Sequence, residues 1–264
     1  MIRIKKIQNK ELLASLRRIA NLAGALLLLA VLIAAVEKKE SRVVNQVIIE
    51  VEALEGNRFL IDSADVVRTI ERTFGYRLEN LPLARVEIER LERVLEEDPF
   101  VKEAEVFLDA EVNVHIELDQ REPILRIIDG NGLNYYLDKE GERLPLSTHY
   151  TPRILVASGN IPPHVPDFLD KEQYLLKDLY HLAERILADP FLKLMTEQLY
   201  VNNSREFILI PKVGRQKILL GRADNLDEKL ENLKLFYERA LPASGWRKYK
   251  SIDLRYKGQI VGVE

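Results

Sequence analysis

Few side chains in this sequence of 264 residues are grouped in a way that supports chemistry. Cysteine is absent, which excludes a thiol nucleophile, a disulfide framework and cysteine-ligated zinc or iron–sulfur sites. Four scattered histidines offer little for a metal centre. His181 and Glu184 lie one helical turn apart, but the second histidine of an H-E-x-x-H helix is missing, so we interpret them as a solvated helix face. The sequence predicts no metal site.

Other patterns that resemble catalytic or cofactor motifs are also incomplete. Adjacent carboxylates at Glu96–Asp98 fall at a predicted helix end, where hydrated acids are more common than acid–base catalysts. Gly130–Gly132 begins a dinucleotide-binding pattern, but Tyr135 occupies the place of its third glycine, which favours a turn. Asn202–Ser204 matches a glycosylation acceptor, a frequent chance match in turns. We therefore predict no catalytic residue and no cofactor, and hence no enzyme.

Charge is distributed very unevenly along the chain. Residues 1–18 carry a net charge of +5, residues 19–36 carry none, and residues 37–264 carry −8, which together give the overall −3. This balance argues against a general nucleic-acid-binding protein. Hydrophobic residues at 47% and charged residues at 31% are ordinary for a globular chain, so the acidic body is predicted to fold.

The uncharged segment Ile19–Val36 is predicted to be a membrane anchor. As a helix it would extend about 27 Å, close to the ~30 Å hydrocarbon core of a bilayer. A buried soluble helix would show polar residues every third or fourth position. A cleaved signal peptide has a shorter apolar region that ends in a small-x-small site. Here the apolar region is longer, and Ala34–Glu37 at its end is a poor cleavage site.

The basic residues that flank the anchor predict its orientation. Six bases precede it, while only Lys38, Lys39 and Arg42 follow closely. The positive-inside rule then places the N-terminus in the cytosol and residues 37–264 outside the cytosol. No second apolar run of this length occurs, so we expect a single-pass protein of the cytoplasmic (inner) membrane.

The first part of the exported region has a β-α-α-β-β pattern. Strict alternation of apolar and polar residues favours an antiparallel hairpin at its end, although its connection, Asp109–Glu111, lacks the Gly or Asn of a two-residue turn. The predicted elements are a strand at Val43–Ala53, a helix from the N-cap Asp62 to Phe74, a helix at Ala84–Glu97, and strands at Ala104–Leu108 and Val112–Leu118.

From Ile124 onwards the pattern predicts mainly strands, and the fold class is α+β with a mostly antiparallel second domain. Two helices are expected, at Lys171–Ala188 with Asp170 as its cap and at Leu226–Leu241. The predicted strands are Leu125–Ile128, Tyr135–Asp138, Arg153–Ser158, Thr196–Val201, Phe207–Pro211, Lys217–Gly221 and Tyr249–Val263.

Four segments carry a resemblance to a known family. They are Asp98–Val106, Gln120–Arg126, Tyr135–Gly141 and Tyr249–Tyr256. Their order behind one N-terminal anchor resembles the FtsQ/DivIB family of bacterial cell-division proteins. The resemblance implies a polypeptide-transport-associated (POTRA) domain at residues 43–123 and a β domain at residues 124–264 with a C-terminal partner-binding strand.

The resemblance also implies a function. Family members are non-enzymatic scaffolds of the division septum that bind the bitopic proteins FtsB and FtsL and help to recruit and control septal peptidoglycan synthesis. Neither a nucleic acid nor a small-molecule substrate is expected. Two alternatives stay open at this point: a POTRA-containing envelope assembly factor that binds polypeptides by strand addition, and an anchored envelope hydrolase, which the missing catalytic residues disfavour.

The predicted last strand is the candidate partner-binding site. Alternation directs Ile252, Leu254 and Tyr256 inward. It directs Tyr249, Ser251, Asp253 and Arg255 outward. A strand near the end of a chain often lies at a sheet edge, where its free N–H and C=O groups accept another strand, although it can equally be an ordinary edge protected by Lys and Arg. Trp246 is also readily explained as a core residue. The candidate residues are Trp246, Tyr249, Lys250, Ser251, Asp253, Leu254, Arg255 and Tyr256.

Overall fold

The computed structural model describes residues 21, 23–31, 42–245 and 248–264. Residues 21 and 23–31 are helical and their side chains are exposed. Within the described part of the chain, no helix has both the length and the apolar character needed to cross a membrane. Parts of the predicted anchor Ile19–Val36, and Trp246, lie outside the described residues.

The chain is organised as two compact units whose segments alternate along the sequence. One contains the described residues up to Glu50 together with Ser63–Leu95 and Ala104–Leu118. The other contains Val51–Asp62, Glu96–Glu103 and Asp119–Glu264. Each unit is built around its own sheet.

The predicted β-α-α-β-β order is confirmed. Its elements are β1 (Val47–Val51), α1 (Ser63–Phe74), a short 3₁₀ helix (Leu83–Arg85), α2 (Ile88–Glu96), β2 (Val101–Leu108) and β3 (Val114–Gln120). The three strands form the smaller sheet in the order β1-β3-β2. Helix α1 buries Val66 and Ile70, and helix α2 buries Leu91 and Leu95, so each presents one apolar stripe to the core.

The connection between β2 and β3 shows how the chain turns without Gly. The carboxylate of Asp109 accepts hydrogen bonds from the backbone N–H groups of Glu111, at 2.8 Å, and of Asn113, at 2.9 Å. Val112 takes the left-handed conformation, with φ of +66°. The turn is therefore stabilised by an Asp side chain that accepts hydrogen bonds from the following N–H groups, in place of the expected Gly or Asn.

The larger sheet has nine strands. They are β4 (Pro123–Asp129), β5 (Asn134–Asp138), β6 (Arg143–Leu144), β7 (Leu155–Gly159), β8 (Thr196–Val201), β9 (Phe207–Pro211), β10 (Lys217–Gly221), β11 (Ser251–Asp253) and β12 (Val261–Val263). Their order in the sheet is β12-β11-β10-β9-β8-β7-β4-β5-β6. The predicted bounds of β8, β9 and β10 are confirmed.

Five of the eight pairings in this sheet are antiparallel, as expected for a mostly antiparallel domain. The three parallel pairings, β4 with β7, β7 with β8 and β10 with β11, were not predicted. Parallel neighbours need long crossover connections, and helices supply two of these crossovers here. The intervening helices are α3 (Leu175–Ala188), α4 (Pro190–Met195), α5 (Leu226–Leu235), a π-helical turn (Phe236–Ala240) and α6 (Leu241–Ser244).

The core lies between one face of the large sheet and these helices. Ile127, Leu199 and Leu209 of the sheet are fully buried in the same cluster as Leu182 of α3 and Leu233 of α5. The prediction of Asp170 as the N-cap was wrong: α3 begins at Leu175, and no side-chain hydrogen bond caps its N-terminus. Capping by an Asp occurs instead at α4, where Asp189 accepts from the N–H groups of its first turn.

The prediction of one strand from Tyr249 to Val263 was wrong. The segment forms two short strands, β11 and β12, that pair antiparallel with each other. Asp253 accepts from the N–H of Arg255 at 3.0 Å, and Gly258 has φ of +67°, so the chain reverses after β11. As a consequence β11 lies inside the sheet, between β10 and β12, and β12 forms the edge.

Candidate functional site at the C-terminal edge

Strand β12 is the terminal strand of the large sheet and has a single neighbour, β11. Its valines are exposed, Val261 by 39% and Val263 by 49%. The backbone N–H of Lys250 donates to the carbonyl of Val263 at 2.7 Å, which ties β12 to the preceding segment. The other edge of β12 carries backbone groups with no partner strand among the described residues, so it can accept a further strand.

Gly262 fixes the position of β12 over an aromatic side chain. A Cβ atom at this residue would lie 2.5 Å from ring atoms of Tyr249, a distance that real Cβ atoms do not adopt. The Tyr249 ring in turn packs against the ring of Phe236, with 5.7 Å between the two ring centroids. Tyr249 was predicted to point outward, whereas it is partly buried against the core and supports β12 from beneath.

Asp253 and Arg255 form a paired support beside the edge. Two side-chain nitrogens of Arg255, Nε at 2.9 Å and an Nη at 2.7 Å, donate to the Asp253 carboxylate. This pairing lowers the pKa of Asp253 and raises that of Arg255. Arg255 also lies 3.6 Å from Glu206 and over Gly221, where a Cβ would approach its side chain to 2.8 Å. The pair fixes the turn between β11 and β12.

The predicted direction of side chains on this segment is correct in part. Ile252 and Leu254 are buried as predicted, at 0% and 3% exposure. Tyr256 was predicted to point inward but is 56% exposed, because the reversal after Leu254 ends the alternation. Asp253 was predicted to point outward but is only 6% exposed, since it binds Arg255.

The structure therefore brings most of the predicted residues together but changes their roles. Lys250 and Tyr256 are exposed, whereas Tyr249, Ser251, Asp253 and Leu254 support the edge from inside. Val261, Gly262, Val263 and Glu206 also contribute to the edge and were not among the candidate residues. The signal for the first three was present: an apolar-Gly-apolar run directly follows a reversal at Gly258.

The motif-like groups away from this edge occupy turns and exposed faces. His181 and Glu184 form an exposed pair with 2.9 Å between Nδ1 and a carboxylate oxygen. Asp98 accepts from the N–H of Phe100, as expected at a helix end. Gly132, with φ of +84°, lies in the turn between β4 and β5, and Asn202 accepts from the N–H of Glu206 in the turn before β9. The predicted turns are confirmed.

Comparison with known families agrees with this architecture. Residues 42–119, which contain the β-α-α-β-β elements, match the family described as a POTRA-like domain. Residues 122–263 match the family described as FtsQ/DivIB, C-terminal related. This second match covers more than half of the chain, and the chain belongs to the FtsQ/DivIB family. No curated protein matches the chain significantly.

Both families consist of scaffold-type domains without enzymatic activity, and their combination indicates a cell-division scaffold. Members of the FtsQ/DivIB family are typically anchored in the membrane at the septum and have other division proteins as partners.

Proposed function

We propose that this protein is a single-pass scaffold of the division machinery that captures FtsB/FtsL-like bitopic partners by strand addition at β12. The segment Ile19–Val36 anchors it, with residues 37–264 outside the cytosol. Through its partners it recruits and controls septal peptidoglycan synthesis. One observation carries the proposal: strand β12 lies at the edge of the large sheet and has a single neighbouring strand. The family of division scaffolds to which the chain belongs supports the same interpretation.

Strand addition divides affinity and selectivity between different groups. The free backbone N–H and C=O groups of β12 supply hydrogen bonds to any extended chain. The exposed side chains beside them, Val261, Val263, Lys250 and Tyr256, supply selectivity, because a partner strand places alternate residues against them. Tyr is a favoured anchor at interfaces because it buries a large area and can also form a hydrogen bond.

The test is to displace β12 without altering the core. Gly262→Val inserts a branched side chain where the Tyr249 ring lies, so we expect loss of at least about 90% of partner capture by the full chain from membrane extract. The double variant Tyr249→Ala, Gly262→Val removes the obstructing ring and is the matched control, with capture expected to recover in part.

Three results would contradict the proposal. The first is normal capture by the folded Gly262→Val chain, and the second is a double variant that recovers nothing while its unfolding is unchanged. The third is capture of unfolded envelope polypeptides in place of small bitopic proteins, which would favour the assembly-factor alternative.

A further inference from the structure

A groove of about 1140 Å³ lies beside the middle strands β4, β7 and β8 of the large sheet, and all of its lining residues belong to the second unit. Strands β4, β7 and β8 are parallel neighbours, so their first residues meet at one end of the sheet. The groove is formed there, against the ends of α3 and α4. Its apolar lining residues are Pro123, Ile124, Pro152, Ile154, Leu155, Val156, Ile186 and Leu187.

The rim of this groove is basic although the body of the protein is acidic. Five basic and three acidic side chains line it, a net charge of +2, whereas residues 37–264 carry −8. Lys139 is neutralised by Glu122 at 2.5 Å. The lining bases are Arg126, Lys139, Arg153, Lys193 and Lys212, and the lining acids are Glu55, Glu122 and Glu197.

Three of the bases are available to a ligand. Arg153, Lys193 and Lys212 are exposed, and their side chains form no hydrogen bond or ion pair with other described residues. Arg126 is held in place by a 3.0 Å hydrogen bond from its Nε to Asn134. The groove therefore combines free positive charges at its rim with an apolar floor.

We propose that this groove binds an extended, acidic peptide segment of a partner protein, in which apolar side chains alternate with carboxylates. Its volume lies above the range of about 300–1,000 Å³ that is typical of small-molecule sites. Free Lys and Arg complement carboxylates, and the isoleucine-rich floor complements the apolar side chains between them. An anionic polymer or lipid headgroup would leave this floor without a contact.

The groove is a separate site from the strand-addition edge. Four strand steps separate β8 from β12, which is about 19 Å at ~4.8 Å per step. One partner peptide at β12 does not cover the groove, so the inference goes beyond the proposed function and does not depend on it. The chain would then hold two polypeptide segments at once.

The test measures binding of a fluorescein-labelled ten-residue peptide of alternating Glu and Leu to the full chain in detergent micelles at 0.1 M salt. The double variant Arg153→Glu, Lys193→Glu reverses two free charges of the rim, and we expect its Kd to rise at least tenfold. The matched control is Arg222→Glu, Arg239→Glu, which makes the same change of charge at exposed residues outside the groove and should stay within twofold of the unaltered chain.

Two further controls separate the sources of binding. The corresponding Lys–Leu peptide should bind at least tenfold more weakly, and the Gly262→Val chain should bind the acidic peptide normally. The basic segment at residues 1–18 is the same in every variant, so equal weakening by both double variants would show general attraction and overturn the proposal. Absence of acidic-peptide binding would also overturn the proposal. So would a result in which the Arg153→Glu, Lys193→Glu variant weakens binding to phosphatidylglycerol vesicles but does not weaken binding to the acidic peptide.

Discussion

At the scale of single residues, Asp109 determines how the β2–β3 hairpin responds to acid. Hydrogen bonds to the Asp109 carboxylate, of which that from the backbone N–H of Asn113 has the largest effect, lower the pKa of Asp109 to about 2 from an ordinary value of 3.8. Its folded-state pKa is thus lower than its unfolded one, so the carboxylate contributes stability above about pH 4, and this contribution disappears as the pH falls towards 2.

We expect Asp109→Ala to lower the melting temperature at pH 6 and to flatten its dependence on pH between 4 and 2, because the titrating acceptor is removed. Thermal unfolding followed by circular dichroism measures both effects. Asp109→Asn is the matched control, since it keeps one acceptor oxygen but cannot ionise. An unchanged pH dependence in Asp109→Ala would show that the turn is not held by this carboxylate.

At the scale of elements, the sequence predicted strands best where a short apolar run is bounded by turn residues. β9 and β10 are runs of this kind, whereas the placement of β11 beside β10 depends on a pairing across α5 and α6 that no local pattern contains. The candidate site was located on the correct segment because the buried Ile252 and Leu254 alternate with polar residues. Its edge was assigned to the wrong strand because the reversal depends on the Asp253–Arg255 pair.

Because the chain reverses after β11, we expect substitutions at Leu254 and at Tyr256 to have different effects on stability. Leu254→Glu places a charge in the core and should lower the free energy of unfolding by roughly 3–5 kcal/mol. Tyr256→Glu changes an exposed residue, so stability should change by less than about 0.5 kcal/mol while partner capture weakens. Urea unfolding together with capture assays distinguishes the two, and equal destabilisation would contradict the reversal after β11.

At the scale of the whole molecule, the overall distribution of charge follows directly from the sequence. The basic residues 1–18 and the acidic residues 37–264 predict a cytosolic N-terminus by the positive-inside rule. The basic groove could not be inferred in this way, because Arg153, Lys193 and Lys212 are far apart in sequence and meet only when β7, β8 and β9 pair.

Site-specific photo-crosslinking in dividing cells tests most directly whether a partner strand adds to β12. A photo-reactive residue at Val261 or Val263 should crosslink to small bitopic division proteins. The same residue at Val213, which is 60% exposed in the turn between β9 and β10, should not. Crosslinks of equal yield at all three positions, or none at Val261 and Val263, would contradict strand addition at this edge.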